Sequence, residues 1–276
     1  MAADVGSNQS VERALAVLRT FTSQRPEMRM SDVAKAAGLG ASTASRLLAT
    51  LEAAGFVERD PVSGLYRLGL DVVSLAGGVL NSHPVHRVAR QIAQNLAAQL
   101  GLGANVAIRR GDRLFYLLNF EGRSAPRSFV LSGQTNPLHA TGLGKALLSG
   151  MTPAQRRALV ADASLVAYTP RTITAHEALD SDVDRGLARG YFTEVEELAL
   201  GRACVAAPIR DASAEVVAGL SVSGALSVID LPGREESLAR AVIEAADQVS
   251  IGLGYVGPHA PVAVGHGAGL ESAVTG

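Results

Sequence analysis

The stretch from Ser31 to Glu58, SDVAKAAGLGASTASRLLATLEAAGFVE, constrains this chain more than any other. Apolar residues recur at helical spacing on both sides of Gly38 and Gly40, which predicts two short helices joined by a turn whose glycines relieve a positive φ. Ser31 is placed as the cap of the first helix, which carries Val33 and Ala36 inward. The second helix starts near Ser42 and buries Leu47, Leu48, Leu51 and Ala54, leaving Ser42, Thr43, Ser45 and Arg46 clustered at its exposed N-terminal end. This is the pattern of a helix-turn-helix, which sets its second helix in the major groove of DNA. Hydroxyls bond base edges or phosphates there, and an arginine can do both. A helical hairpin packed on a partner protein has the same local pattern.

The next residues separate the two readings. Phe56 to Arg59 and Leu65 to Leu68 read as short strands across Asp60-Pro61-Val62-Ser63-Gly64, a run of turn formers. A hairpin directly after the second helix is a wing. Arg59, Tyr66 and Arg67 lie on it, either as contacts to flanking DNA or as ordinary strand residues facing solvent. Upstream, Val11, Leu15, Leu18 and Phe21 recur at helical spacing, so Ser10 to about Thr22 is predicted helical with Ser10 as its cap. The net charge of −1 does not describe a non-specific nucleic-acid binder, so a DNA function rests on this local placement. With no Trp and 4% aromatics, the chain has no row of rings for stacking single-stranded bases.

These segments, with SVERALAVLRTF and AGFVERDPVSGLYRLG, resemble the N-terminal domain of IclR-type bacterial transcriptional regulators. The likeness continues through NPLHATGLGKALLS, ITAHEAL, RGYFTEVEELALGRACVAAPIRD and GLSVSG, over about residues 10 to 255. It implies an α+β protein: a winged helix-turn-helix at 10–69, a linker helix at 70–82, and a GAF-like effector-binding and oligomerisation domain at 83–255. A mobile N-terminus (1–9) and a Gly- and Ala-rich disordered tail (256–276) flank these. It also implies double-stranded DNA with a palindromic operator, a small-molecule effector, and a homodimer or homotetramer acting as repressor or activator. The expected effector is an organic acid.

The residues beyond the wing fit that plan. Leu70 to Asn81 reads as an apolar-faced helix, and a second helix starts at Pro84 with Val85, Val88, Ile92, Leu96 and Leu100 in one stripe. Strands are predicted at Asn105 to Arg109, Arg113 to Phe120, Ser128 to Leu131, Tyr191 to Val195, Cys204 to Arg210 and Val216 to Ser223. Helices are predicted at Thr141 to Ser149, Pro153 to Ala161, Ala178 to Arg189 and about Arg234 to Leu253. Strands interrupted by helices in this way are α+β.

Catalytic and metal chemistry find no footing in this pattern. Gly219-Leu-Ser-Val-Ser-Gly lacks a nucleophile-elbow frame, and Thr141-Gly-Leu-Gly-Lys145 fails the phosphate-loop spacing. The six histidines show no metal-ligand spacing and are read as mostly surface residues; a lone Cys204 permits no internal disulfide or Cys-rich zinc site. No cofactor, no membrane partner and no secretory signal are expected, and the protein is expected to be cytoplasmic. The resemblance implies instead an effector pocket built from Gly142, Leu143, Glu194, Arg202, Cys204, Ser221 and Ser223. Ser221 and Ser223 share one face of a strand, where hydroxyls suit a carboxylate. Glu194 stands where the family usually has Asp, and Arg202 where a hydrophobic residue is common. Arg202 either faces the pocket, pairing with Glu194 or the ligand's anion, or is a solvated loop cation. The alternative for the whole chain is a GAF-like metabolite sensor or enzyme whose N-terminal helices mediate protein contacts.

Overall fold

A computed structural model describes residues 8–124, 132–161 and 164–257. The predicted strand at Ser128 to Leu131 lies outside them, as do most of the expected mobile terminus and tail. The chain divides into two compact units between His83 and Pro84. Among the described residues no helix is long and apolar enough to cross a membrane.

The first unit contains α1 (Gln9–Thr20), β1 (Glu27–Met28), α2 (Met30–Ala36), α3 (Ala41–Ala53), β2 (Val57–Arg59), β3 (Tyr66–Leu68) and α4 (Asp71–Ser82). Val17, Phe21, Met28, Val33, Leu48 and Val57 form its buried core. Several sequence expectations shift here. Asn8, rather than Ser10, caps α1, accepting the Ser10 N–H on its side chain. Val11 and Leu15 are exposed, because the helix turns Val17 and Thr20 inward instead. Ser31 lies inside α2, whose cap position is Arg29, and Ala34 takes the buried place predicted for Ala36. Of the two turn glycines only Gly38 has a positive φ (66°); Gly40 is extended and precedes α3. Ala54 is exposed just past the end of α3.

The wing is a three-stranded antiparallel sheet of order β1-β3-β2. Asp60 closes its turn by accepting the N–H groups of Val62 and Ser63 (3.0 and 2.6 Å), and Gly64 supplies φ 69°. The two-residue β1, which pairs Glu27 with Arg67, is too short to leave a periodic signal.

The second unit contains α5 (Pro84–Leu100), β4 (Gly103–Arg110), β5 (Arg113–Phe120), β6 (Thr135–Pro137), α6 (Gly142–Leu148), α7 (Pro153–Leu159), α8 (His176–Arg189), β7 (Phe192–Val195), β8 (Arg202–Arg210), β9 (Val216–Ala225), α9 (Leu226–Ile229) and α10 (Leu231–Gly252). The strands make one antiparallel sheet of order β6-β5-β4-β9-β8-β7. Both faces are covered: Val106, Leu220 and Val222 are fully buried on one, Ala107 and Ala206 on the other. The long helices α5 and α10 pack on each other and on the sheet, and α6 and α8 cover the face that carries Ala107, Tyr116 and Phe192. The buried stripe of α5 is Val85, Ala89, Ala93, Leu96 and Ala97, so small residues replace the predicted Val88, Ile92 and Leu100 and let α5 approach closely.

Two glycines of α6 set its depth. A Cβ on Gly142 would lie 2.8 Å from the Cys204 sulfur, and one on Gly144 would lie 2.0 Å from the Leu138 carbonyl oxygen. The second obstacle is backbone and does not yield. Gly144→Ala is therefore expected to destabilise this unit by about 2 kcal/mol or more, despite alanine's better helix propensity. Urea unfolding of the full chain measures this; a variant as stable as the parent would contradict the packing described.

Candidate DNA-reading surface and effector pocket

In the first unit, α3 begins without a side-chain cap, and the N–H groups of Thr43 and Ala44 turn back to the Gly40 carbonyl (both 3.0 Å). Ser42, Ser45 and Arg46 are exposed there, and Thr43 is half-buried. Ser31 is exposed on α2, which also lacks a side-chain cap. On the wing, the Arg59 guanidinium lies 5.5 Å from the centroid of the half-buried Tyr66 ring. Arg67 is half exposed and paired within the sheet. Its guanidinium donates to Glu58 through Nε and Nη2 (3.1 and 3.0 Å) and lies 3.7 Å from Glu27. The fold also gathers Arg25, Arg29 and Lys35 around one groove beside α2. Sequence reasoning missed these three, since they come from a loop and a helix face without a shared motif.

The second unit brings Leu143, Glu194, Arg202, Cys204, Ser221 and Ser223 around one small cavity of about 60 Å³, with Asn105, Tyr116, Thr141, Leu198 and Ala203 completing its wall. Gly142 lies behind Leu143 against Cys204. A broader groove of about 670 Å³ along α10, lined by Tyr191, Arg240, Ile243 and Glu244, is open to solvent and gathers no buried polar side chains. The small cavity does gather them, and it is the better candidate site.

Strand register explains the cavity. Glu194 pairs with Cys204, Cys204 with Ser223, and Asn105 with both Ser221 and Asn119, so one polar row crosses five strands on the same face. A bulge between β4 and β5 at Val106/Ala107 brings Tyr116, opposite Ala107, onto that face with Asn119. Strict alternation would have sent Tyr116 to the other side, which is why sequence reasoning missed it.

Behind the pocket lies a buried charge cluster. Lys145 is 1% exposed, and its ammonium contacts Asp182 Oδ2 at 2.6 Å and Glu197 Oε1 at 2.5 Å. Glu194 Oε1 accepts the N–H groups of Glu197 and Leu198 (2.6 and 3.3 Å), tying the pocket carboxylate to the same loop. Burial raises the Glu194 carboxyl above its usual range against those N–H donors. Burial also raises Glu197, to about 7, outweighing Lys145, with Glu194 and Asp182 adding repulsion. Burial alone would raise Asp182 too, but Lys145 and Arg185 bring it below its usual value. The Cys204 thiol is buried and raised by desolvation, so it remains an unreactive thiol. His139 and His86 are buried, against the surface placement expected of most histidines. His139 packs Nε2 at 3.1 Å from the Val166 carbonyl, and burial lowers its pKa. Among the described residues no cluster of His, Cys, Asp and Glu suits a metal ion.

Comparison with known proteins agrees with this division. The profile described as the IclR helix-turn-helix domain matches residues 10–61, and the one described as the bacterial transcriptional regulator IclR C-terminal domain matches residues 77–251. The chain is 33% identical over 222 residues to the HTH-type transcriptional regulator XynR of Escherichia coli K12, covering 80% of this chain and 88% of that protein. The crystal structure of an IclR transcriptional regulator from Alicyclobacillus acidocaldarius superposes with a TM-score of 0.77 at 28% identity, over 89% of this chain and 98% of that one. An IclR homolog from Microbacterium hydrocarbonoxydans, solved with 4-hydroxybenzoate, shares the fold with a TM-score of 0.77 at 24% identity, over 88% of this chain and 98% of that one.

The buried cluster has a pH signature. The folded state holds the Glu197 proton up to about 7, whereas an unperturbed glutamate releases it near 4.5. More protons are bound folded than unfolded across that window, so this group's stabilising contribution is present at low pH and lost as pH rises through it. Relative to the parent, Glu197→Gln is expected to gain up to about 3 kcal/mol of stability between the two ends of the window. Urea midpoints of both proteins across that range check it; a constant difference would refute the assignment.

Proposed function

The chain belongs to the IclR family of bacterial transcriptional regulators, and from that premise we propose how its two units read DNA and sense a small molecule. It is a DNA-binding regulator with a C-terminal effector-binding domain, and the family is not enzymatic. The alternative of an N-terminal domain devoted to protein contacts is set aside, because residues 10–61 match the helix-turn-helix profile.

In this reading α3 lies in the major groove with Ser42, Thr43, Ser45 and Arg46 toward bases and phosphates. The observation that carries it is the hydroxyl-rich start of α3, which has no side-chain cap and where Ser42, Ser45 and Arg46 stand together on one exposed surface. Ser31, Arg59, Tyr66 and the Arg25–Arg29–Lys35 groove flank it as phosphate contacts. Arg67 serves the wing's own sheet through Glu58 and Glu27, and its share in DNA contact is secondary. A homodimer or homotetramer on a palindromic operator places two such helices on successive half-sites. No residue of α4 is buried, and Leu70, Val73, Leu75 and Val79 are more than half exposed, which suits a dimer contact. The site of action is the cytoplasm, where the operator is.

The effector site is the polar cavity of the second unit, with an organic acid as ligand; the homolog with 4-hydroxybenzoate supports an acid in this fold. By linkage, the ligand changes operator affinity only through unequal binding to the DNA-competent and incompetent arrangements. The linker helix α4, the last element of the first unit in sequence, is proposed to relay that difference.

The test is a gel shift of the full chain with DNA from upstream of its own gene at two salt concentrations. Selective retardation that weakens steeply with salt is expected. Arg46→Ala is expected to lose about 1–3 kcal/mol of specific binding. Undiminished binding by that variant would remove α3 from the groove.

A further inference from the structure

The outer face of the wing carries a row of alternating charge. Glu27 on β1, Arg67 on β3 and Glu58 on β2 stand directly opposite one another across the three strands. Alternation puts them away from the core, because Met28 and Val57 on the other face are buried and Tyr66 packs against them. Arg67 spends its donors sideways along this row: Nε and Nη2 donate to Glu58 Oε2, and Nη1 lies 3.7 Å from Glu27 Oε1. All three side chains are about half exposed, so each ion pair adds little to stability. The strand ladder and the apolar face beneath hold the sheet. What the row does set is surface charge: two carboxylates flank one guanidinium, and a phosphate approaching Arg67 meets both.

Arg59 stands in the opposite condition. Its guanidinium lies over the ring of Tyr66, its cross-strand neighbour, and among the described residues no carboxylate pairs with it. The adjacent Asp60 is turned into the hairpin, where one carboxylate oxygen accepts from the Val62 N–H and from the N–H and hydroxyl of Ser63. The charge around the wing is acidic on balance. The groove between the end of α3 and the wing gathers Glu52, Glu58, Asp60 and Asp71 against Arg59 and Arg67. Beside α2 the balance reverses, with Arg25, Arg29 and Lys35 against Glu27 and Asp32.

Resting on the reading of this unit as the one that contacts DNA, we infer that Glu27 and Glu58 are specificity-determining residues that hold Arg67 within the sheet and away from the phosphate backbone. Backbone contact on the wing is then left to Arg59. Phosphate contacts are blind to sequence and supply most non-specific affinity. Withholding one of them widens the ratio of specific to non-specific binding, and like charge facing the backbone disfavours the wrong partner.

Fluorescence anisotropy of the full chain with a duplex of scrambled sequence, titrated with salt, tests this. In Glu27→Gln/Glu58→Gln, which keeps the side-chain shapes, the slope of log K against log salt is expected to steepen by about 0.9. Binding by that variant at about 0.1 M salt is expected to tighten roughly fivefold. Adding Arg67→Ala is expected to return both quantities to the parent values. In the parent, Arg59→Ala is expected to flatten the slope by about 0.9, and Arg67→Ala to leave it unchanged. A slope in the double variant that is unchanged or flatter would overturn the inference, since the row would then be only structural. A gain that survives the added Arg67→Ala would overturn it too, because the carboxylates would act without Arg67. The same holds if Arg67→Ala flattens the parent slope as Arg59→Ala does, or if the double variant fails to bind the scrambled duplex at about 50 mM salt. Arg46→Ala on upstream DNA separates this from the reading of α3: undiminished specific binding there removes α3 from the groove and leaves the wing result standing.

Discussion

A buried ammonium organises the effector unit. Lys145 is removed from water and held by Asp182 of α8 and by Glu197 of the loop after β7. An unpaired charge at such a depth would be strongly destabilising, so the three segments are obliged to meet. The consequence reaches the pocket on both sides. Leu143, two residues before Lys145, forms one wall, and Glu194, whose carboxylate is gripped by the Glu197 and Leu198 N–H groups, forms another. The glycines at 142 and 144 permit that meeting, since a side chain at either would strike Cys204 or the Leu138 carbonyl. The cavity is small because α6 is drawn down hard onto the sheet.

Much of this architecture was legible in the residues, for identifiable reasons. Helical spacing around Gly38 and turn formers at Asp60 to Gly64 are local signals, and local structure follows them. The candidate effector residues were reached through motif resemblance, and the fold gathers six of them because alternation on β8 and β9 keeps Arg202, Cys204, Ser221 and Ser223 on one face. What escaped depends on distant parts of the chain. The wing's third strand is only Glu27–Met28, and it exists because β3 offers a free edge. Arg67 reads as a surface cation, yet two carboxylates from different strands claim it. Tyr116 and Asn105 join the pocket through a bulge and a cross-strand register that no spacing announces. The depth of Lys145 was equally hidden, because its partners lie far along the chain at Asp182 and Glu197.

The chemistry of the two units is complementary in a way that suits regulation. The proposed DNA-reading surface is exposed, hydroxylic and cationic only locally, so in this reading selectivity rests on a few side chains while the net charge stays at −1. The proposed sensing cavity is small and polar, lined by the hydroxyls of Tyr116, Thr141, Ser221 and Ser223 beside Glu194 and Arg202. A regulator of this kind works through a coupling free energy between the two sites, and such a coupling is reciprocal.

Reciprocity supplies the most direct test. Operator affinity would be measured by fluorescence anisotropy with and without saturating ligand, and ligand affinity by calorimetry with and without saturating operator. The account predicts that the two ratios are equal and differ from one. A ligand affinity that is identical on free and operator-bound protein would contradict it, because the cavity would then have no part in controlling DNA.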